Sequence, residues 1–436
     1  MTRPTSEQHP GASNGSNGSN GSNGSNSSNA SNVRNVRSDV VIVGGGAAGL
    51  SLAHRLMADG SATVTVVEAP DGPLRPPERT WCFWEAGAGD FEEAVSASWS
   101  RLRVHAADGS PVSVTPSPFR YRMLRSGPFE RLVHARLARS PGAQVVRATA
   151  DAVRDVGDGA EVDCTLPDGG ALTLWARLVF DSRPVPVLPS ARTQLLQHFR
   201  GWFVRTDTEH FDPAVADLMD FRVPQPRHGL AFGYVLPLAP DRALVEYTQF
   251  SRAPLSTRAY EAALGQYTRD VLGIGARTVE AVEQGVIPMT DGRFPRRVGA
   301  SVFRIGAAGG ATRPATGYTF AAVQRQSRAI ADGVRRGRAA VPPAHGRRAL
   351  ALDAVLLRAL DTGRIDGPAF FTDLFRHTPP ERLLRFLDGA TTPWEEWGIG
   401  LRCPVRPMLR TAVELPFLRG RLRAAPAAVP ACEESR

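Results

Sequence analysis

Hydrophobic residues enter this chain abruptly. Residues 1–36 are polar and repetitive, with Ser-Asn-Gly triplets through 13–25. So little apolar surface cannot offset the entropy of ordering, and the tract reads as a disordered tail. Asp39-Val-Val-Ile-Val43 is then an apolar run of strand length, 44–49 is a glycine-rich turn, and 50–58 has apolar positions at helical spacing. Asp59-Gly60 ends that helix, and 63–67 forms a second strand closing on Glu68. The pattern over 39–68 predicts a βαβ unit of 30 residues.

Further along, strand-like and helical stretches alternate with turn signals up to about residue 335. Residues 103–114 and 161–174 read as hairpins around Ala-Asp-Gly and Pro-Asp-Gly-Gly. Residues 129–138 read as a helix capped by Ser126, with Pro128 in its first turn. Segments 230–238 and 242–250 read as paired strands. Beyond about 340 the texture becomes helical and rich in leucine and arginine.

Composition narrows the chemistry. All 52 basic residues are arginine, so Schiff-base lysines and the lysine of a P-loop are excluded. The net charge of +9 partly reflects arginine's high pKa and argues little for nucleic acid, which is not an expected partner. Cys82, Cys164, Cys403 and Cys432 are far apart and form no CxxC pair, and the nine histidines form no HExxH. No metal site is expected, and a reducing cytoplasm fits. The longest apolar run, residues 40–53, stops at 14 and is interrupted by glycine. A membrane span needs about 18. The start lacks a basic-then-apolar signal peptide, so the expected location is the cytoplasm or the cytoplasmic membrane face.

Gly44-x-Gly46-x-x-Gly49 lies between a strand and a helix. There Gly44 allows a tight turn, Gly46 lets backbone approach a pyrophosphate, and Gly49 lets helix and strand pack closely. The helix start, with Ala47 and Ala48, presents free N–H groups to the anion. Glu68, ending the second strand, is placed to accept from ribose hydroxyls. A second glycine-rich element follows more than 250 residues later: Gly306, Gly309, Gly310, Pro314, Gly317 and Tyr318 lie in a strand, turn and helix start. Closing over the ribityl and flavin end of an extended dinucleotide is its expected task, which favours FAD over NAD.

At this point the motifs resemble the lycopene cyclase family. The resemblance rests on 39–68, Arg79-Thr-Trp-Cys-Phe-Trp84, Val179-Phe-Asp-Ser-Arg-Pro184, Gln197-His-Phe-Arg-Gly-Trp202, Met219-Asp-Phe-Arg222, Gly285-Val-Ile-Pro-Met-Thr290 and 306–320. It spans about 38–425 and implies an α/β fold like the flavoprotein hydroxylases and geranylgeranyl reductases. A Rossmann-type FAD domain (37–100, 120–150, 175–190 and 285–336) would interleave with an antiparallel substrate sheet (101–119 and 190–284). Residues 337–436 would form a C-terminal helical, possible membrane-contacting region. Gly306 is followed by Ala307, where many relatives of the wider fold carry Gly-Asp; that matches the cyclase branch.

The resemblance also implies the reaction: acid-initiated closure of the linear ends of lycopene into β-ionone rings, by way of γ-carotene to β-carotene. It uses reduced FAD, with NAD(P)H as electron donor and no net redox change. Other carotenoid-pathway enzymes are conceivable partners. Glu246, flanked by Leu244 and Val245, is the first candidate acid; apolar surroundings would keep it protonated. Glu246 and the reduced flavin are the two candidates for delivering the proton and steadying the cation. Trp84, Trp202, Tyr234 and Tyr247 are candidate substrate-binding aromatics, beside Trp81, Phe83 and Tyr318. Arg125 and Asp181 are candidate flavin contacts. Asp181 and Asp220 are alternatively structural partners of Arg183 and Arg222, with a direct catalytic part as the lesser reading, and His198 is expected in the core, with proton removal as the lesser reading.

Leu356, Leu357, Leu360, Phe370, Phe371, Leu374, Phe375, Leu383, Leu384, Phe386 and Leu387, beside Arg382 and Arg385, fit a monotopic membrane helix or helical core packing. Two competing readings of the whole chain are a flavin hydroxylase or prenyl-lipid reductase, and a non-catalytic prenyl binder.

Overall fold

A computed structural model describes residues 34–58, 60 and 62–426. Most of the expected tail, Asp59 and Cys432 lie outside the described residues. The tail boundary at 36 is corrected: Arg34–Val43 is one strand, with Arg34 opposite Leu172 and Ser38 opposite Ala176. Pairing along strand Ala171–Asp181 satisfies the backbone there without any need for apolar side chains.

The βαβ unit forms as the pattern predicts. Helix Ala47–Leu56 connects Arg34–Val43 to Val64–Glu68, and the two strands are parallel. Ala143–Arg147, Val64–Glu68, Arg34–Val43, Ala171–Asp181, Gly159–Thr165 and Thr149–Val156 lie in that order, with Val302–Arg304 also beside Ala171–Asp181. All five residues of Val64–Glu68 are buried, as in a parallel strand covered on both faces. Val40, Ile42, Val64 and Val66 pack under helices Ala47–Leu56, Ser126–Leu137 and Phe320–Arg335. Val41, Val43 and Val67 point the other way, against Ala148 and Val162. Ser126 is the first helical residue rather than a cap: its hydroxyl accepts from the Arg79 N–H at 3.0 Å.

A second sheet runs Arg277–Thr290, Gln194–Thr206, Arg242–Ser251, Leu230–Ala239, Val215–Asp220, Arg101–His105 and Pro111–Val114. It is antiparallel except where Val215–Asp220 meets Arg101–His105. Both expected hairpins and the 230–250 strand pair are present. Arg277–Thr290 pairs with Gln194–Thr206 along its whole length, so 285–290 belong to this sheet and not to the nucleotide part. Thr80–Ala86, Phe119–Arg125 and Val95–Trp99 make a small third sheet.

Five helices follow: Arg347–Asp361, Gly367–His377, Pro380–Leu387, Pro393–Gly400 and Val405–Glu414. Leu357, Leu360, Phe370, Phe371, Leu374, Phe375, Leu383, Leu384 and Leu387 are buried in one core with the antiparallel sheet, and Leu356 and Phe386 pack on it. The membrane expectation therefore falls away for these side chains. The sheet presents Phe232, Leu244 and Phe250 to them, and apolar side chains bury where a matching face exists. Among the described residues, no helix is long and apolar enough to cross a membrane.

Many of the exposed apolar residues lie further on. Trp397, Leu401, Val405, Leu409, Val413 and Phe417 recur every fourth residue, and Trp397 and Phe417 are 66% and 82% exposed. Leu384→Ala should therefore cost about 2–5 kcal/mol of unfolding free energy. Leu409→Ala should stay within about 0.5 kcal/mol. Urea denaturation of both variants checks the division; equal losses would mean the two faces are misassigned.

Candidate functional site

The glycine-rich turn is built by close approach. A Cβ at Gly49 would lie 1.9 Å from the Gly44 carbonyl oxygen, so only glycine lets the helix start against the strand end. At Gly46 an added Cβ would meet nothing within 4 Å, because that residue faces a cavity. The second motif docks on the first. Gly306 has φ +63°, and a Cβ there would lie 2.7 Å from that of Ala48. Gly309, Gly310, Pro314, Gly317 and Tyr318 line the same cavity, whereas Ala47, Ala48, Gly49 and Gly306 shape its wall from behind.

The cavity measures about 2200 Å³ and is lined from both large sheets, the small sheet and the C-terminal helices. Ordinary small-ligand pockets reach about 1,000 Å³, so there is room for an extended dinucleotide and a second long molecule. Glu68 lines it beside Gly45. Its Oε1 lies 2.6 Å from His134 Nε2, and Arg75 and Arg147 stand 3.7 and 3.6 Å from Oε2. Glu68 Oε2 has no hydrogen-bond partner although it is buried, and neither has Gln197 Oε1 beside Gly317. Unsatisfied buried acceptors at both glycine-rich elements suit a ligand rich in hydroxyl and N–H donors. The free N–H groups at the start of helix Ala47–Leu56 suit its phosphates. An extended FAD meets all three requirements.

Deeper in the cavity the second sheet supplies a carboxyl. Strand Arg242–Ser251 turns Leu244, Glu246, Thr248 and Phe250 toward the cavity. Glu246 is 8% exposed. Burial pushes its carboxyl up to about 8; the Thr248 hydroxyl, which donates to Oε1, opposes this, and the Glu283 charge adds to it. Glu283, which lines the cavity from strand Arg277–Thr290, is also raised by burial, against Thr80, which donates its N–H at 2.7 Å and its hydroxyl at 2.5 Å.

The aromatic wall differs from expectation. Tyr234 and Tyr318 line the cavity, joined through Tyr121 at 2.7 and 3.1 Å between hydroxyl oxygens. Burial pushes all three phenols up and the neighbouring Cys82 thiol to about 12. Trp81 also lines it, while Trp84 stands behind Tyr318 with ring centres 4.6 Å apart. Trp202 and Tyr247 are not in the site. Strand residues alternate faces, so Tyr247 points away from the side Glu246 occupies, and Trp202 packs with it in the opposite core. Phe83 packs on Phe320 in the nucleotide-side core.

Arg125 does not line the cavity either: its guanidinium pairs with Glu78 and lies 4.8 Å over the Phe203 ring. Asp181 spends its carboxylate on the Arg183 N–H and guanidinium, and Arg183 is the member that faces the cavity. Asp220 likewise pairs with Arg222 and accepts from Tyr267. His198 lies in the core between Tyr260 and Ser251, its pKa lowered to about 4 by burial. Sequence reasoning missed Glu283, Thr80 and Tyr121. Thr80 lies within the motif at 79–84 and Glu283 two residues before Gly285, whereas Tyr121 lies in no motif singled out from the sequence. No cluster of potential metal ligands occurs among the described residues.

A profile of the family described as lycopene cyclase protein matches residues 39–413. The chain belongs to the lycopene cyclase family. No curated protein matches this family member. Several solved structures share its fold. A geranylgeranyl bacteriochlorophyll reductase-like protein from Thermoplasma acidophilum is 12% identical, covering 87% of this chain and 97% of its own, with a TM-score of 0.56. The p-nitrophenol 4-monooxygenase PnpA of Pseudomonas putida is 15% identical over 89% and 100%, with a TM-score of 0.53. The flavin-dependent monooxygenase PieE, solved with FAD and substrate, is 15% identical over 87% and 72%, with a TM-score of 0.52. The fold class is thus the α/β fold of flavoprotein hydroxylases and reductases.

Glu246 carries a stability prediction. Its folded pKa of about 8 lies above the ordinary 4.5, so the folded state holds the proton more tightly. Its contribution is complete below about pH 4.5 and is lost as pH rises toward 8, by an amount on the order of a few kcal/mol. Denaturation series between pH 5 and 8.5 should show a flatter profile for Glu246→Gln than for wild type. Parallel profiles would contradict burial of an ionisable group there.

Proposed function

We propose that this protein is a lycopene β-cyclase, closing the linear ends of a carotenoid into β-ionone rings by way of γ-carotene to β-carotene. The observation that carries the reading is Glu246, a buried carboxyl favouring its protonated form, in an aromatic cavity continuous with the glycine-rich cradle. Family membership supports cyclisation of a carotenoid as the reaction class. The fit of the cradle selects FAD, held by Gly44–Gly46 backbone and Glu68 at one motif and by 309–318 at the other. When bound in its reduced form, FAD supplies an electron-rich ring system that favours a nearby carbocation. Reduced nicotinamide, NAD(P)H, is the expected electron source, and the reaction itself leaves the oxidation state unchanged.

The chain's own residues do the rest. Glu246 holds a proton at neutral pH and donates it to the terminal double bond of the polyene. Tyr121, Tyr234, Tyr318 and Trp81 present π faces to the tertiary cation that results. Leu244, Phe232, Phe250, Phe371 and Phe375 line the cavity and keep out water that would trap the cation as an alcohol.

A carotenoid is collected from a bilayer, and the exposed apolar row from Trp397 to Phe417 is the contact face this reading assigns. Trp394, 85% exposed, extends it. Exposed Arg402, Arg406, Arg410, Arg419 and Arg421 flank it and suit anionic headgroups at a cytoplasmic membrane face. The row adjoins the cavity. Arg192 lines the cavity and donates to the Leu415 carbonyl at 3.4 Å, and Ala425 and Pro426 line it just beyond.

Purified protein should carry FAD, and a lycopene-accumulating host should form products of unchanged mass and altered retention. Glu246→Gln should lower turnover by about 10²–10⁴ while keeping the flavin. A product heavier by oxygen or by two hydrogens would instead favour a hydroxylase or reductase, and a flavin-free protein a prenyl binder. Replacing Trp394, Trp397 and Phe417 together by serine should weaken sedimentation with anionic vesicles at least about tenfold. Unchanged binding would remove this face from consideration.

A further inference from the structure

Gly201 stands between two acids. In the register of the second sheet it lies opposite Glu246 on one side and opposite Glu283 on the other. The three residues form one row across three adjacent strands. At the usual strand spacing the outer Cα atoms are about 10 Å apart. Both carboxyl side chains line the cavity, and the position between them carries no side chain. A Cβ at Gly201 would lie 2.8 Å from Leu244 Cδ1 and 3.4 Å from Glu246 Cβ, so even alanine there would crowd the space the acids share.

We propose that Glu283 is a second catalytic carboxyl, the base that removes the ring proton at the end of the cyclisation. This rests on the reading of the site given above.

The two environments divide the roles. Glu283 accepts two hydrogen bonds from Thr80, one from the backbone N–H, which can only donate. Those two bonds favour the ionised acceptor form, against the burial that leaves the carboxyl raised overall. Glu246 has the Thr248 hydroxyl alone, and a hydroxyl can turn to accept. The charged groups that act on Glu283 are Arg125, which favours its ionised form, and Glu78, which opposes it, while Arg79 is influenced by Glu283 in turn. Two carboxyls sharing a dry cavity avoid ionising together, so one proton between them is the favoured state.

The steps balance. The Glu246 O–H bond breaks as a C–H bond forms at the terminal alkene, leaving a tertiary cation. The π pair of the inner alkene closes the ring bond and moves the positive charge onto the ring. A ring C–H bond then breaks, its electron pair becomes the ring double bond, and the proton passes to Glu283. Proton return from Glu283 to Glu246 across the Gly201 gap resets the pair. No electrons leave the hydrocarbon, and one proton enters and one departs.

The test uses the full-length, flavin-loaded protein with lycopene in vesicles made up in D₂O. Glu283→Gln should retain flavin, lose at least about 10²-fold in cyclisation, and exchange deuterium into the recovered linear substrate, because the cation forms and reverts. Glu246→Gln should show neither cyclisation nor exchange. Glu283→Asp should recover at least a tenth of the wild-type rate. Glu283→Gln cyclising within twofold of wild type would overturn the proposal, as would its failing to exchange. If Glu283→Gln loses flavin, Glu283→Asp decides: flavin bound with turnover recovered supports the base, and flavin bound without turnover refutes it, as does loss of flavin from both variants, which marks a purely structural acid. A wild-type protein that forms no ring at all would refute the cyclase reading itself, a result distinct from each of these.

Discussion

Keeping one carboxyl away from water is the constraint on which this structure turns. A charged Glu246 would be costly in its setting, and burial pushes its carboxyl up to about 8, toward the protonated form. Neighbouring apolar side chains add to its burial. Two strands lie on one side of its strand up to the sheet edge and two on the other before the parallel pairing, and Phe232 and Phe250 stand on the same face. The C-terminal helices cover the sheet with Phe371, Phe375 and Leu387.

The same constraint explains the interleaving of the chain. A cofactor cradle at strand ends needs a parallel sheet with a helix behind it, whereas an apolar chamber needs a broad antiparallel face. Neither half is contiguous in sequence. The chain leaves the parallel sheet after Val64–Glu68 and crosses to the small sheet. It returns at Ala143–Arg147 and again at Val302–Arg304. The contact between Gly306 and Ala48 locks the two glycine-rich turns together, so cradle and chamber share one wall.

Two kinds of apolar helix surface end up with opposite fates. Leu383, Leu384 and Leu387 meet a sheet face and vanish into the core, while Leu401, Leu409 and Phe417 meet none. Composition does not separate them, since both sets alternate with arginine. The arginines differ in pairing: Arg385 reaches Glu395, whereas Arg406 and Arg410 remain among the exposed residues of the outer row.

Local pattern by itself determined the βαβ unit, both hairpins, the glycine motifs and the presence of a C-terminal helical region. These depend on periodicities and turn chemistry that act over a few residues. It also singled out Glu246, because an acid directly after leucine and valine on a strand is locally anomalous. Which way each strand residue faces was settled only by the folded sheet. A one-residue shift in phase exchanges the two faces, which is how Trp202 and Tyr247 came to lie opposite the chamber. Arg125 and Asp181 were likewise claimed by nearby partners that spacing alone does not rank. Glu283 lies 37 residues from Glu246 along the chain, and only the pairing of three strands brings them to one row. Register is a long-range property, fixed by which faces find apolar cover, and no short window of sequence contains it.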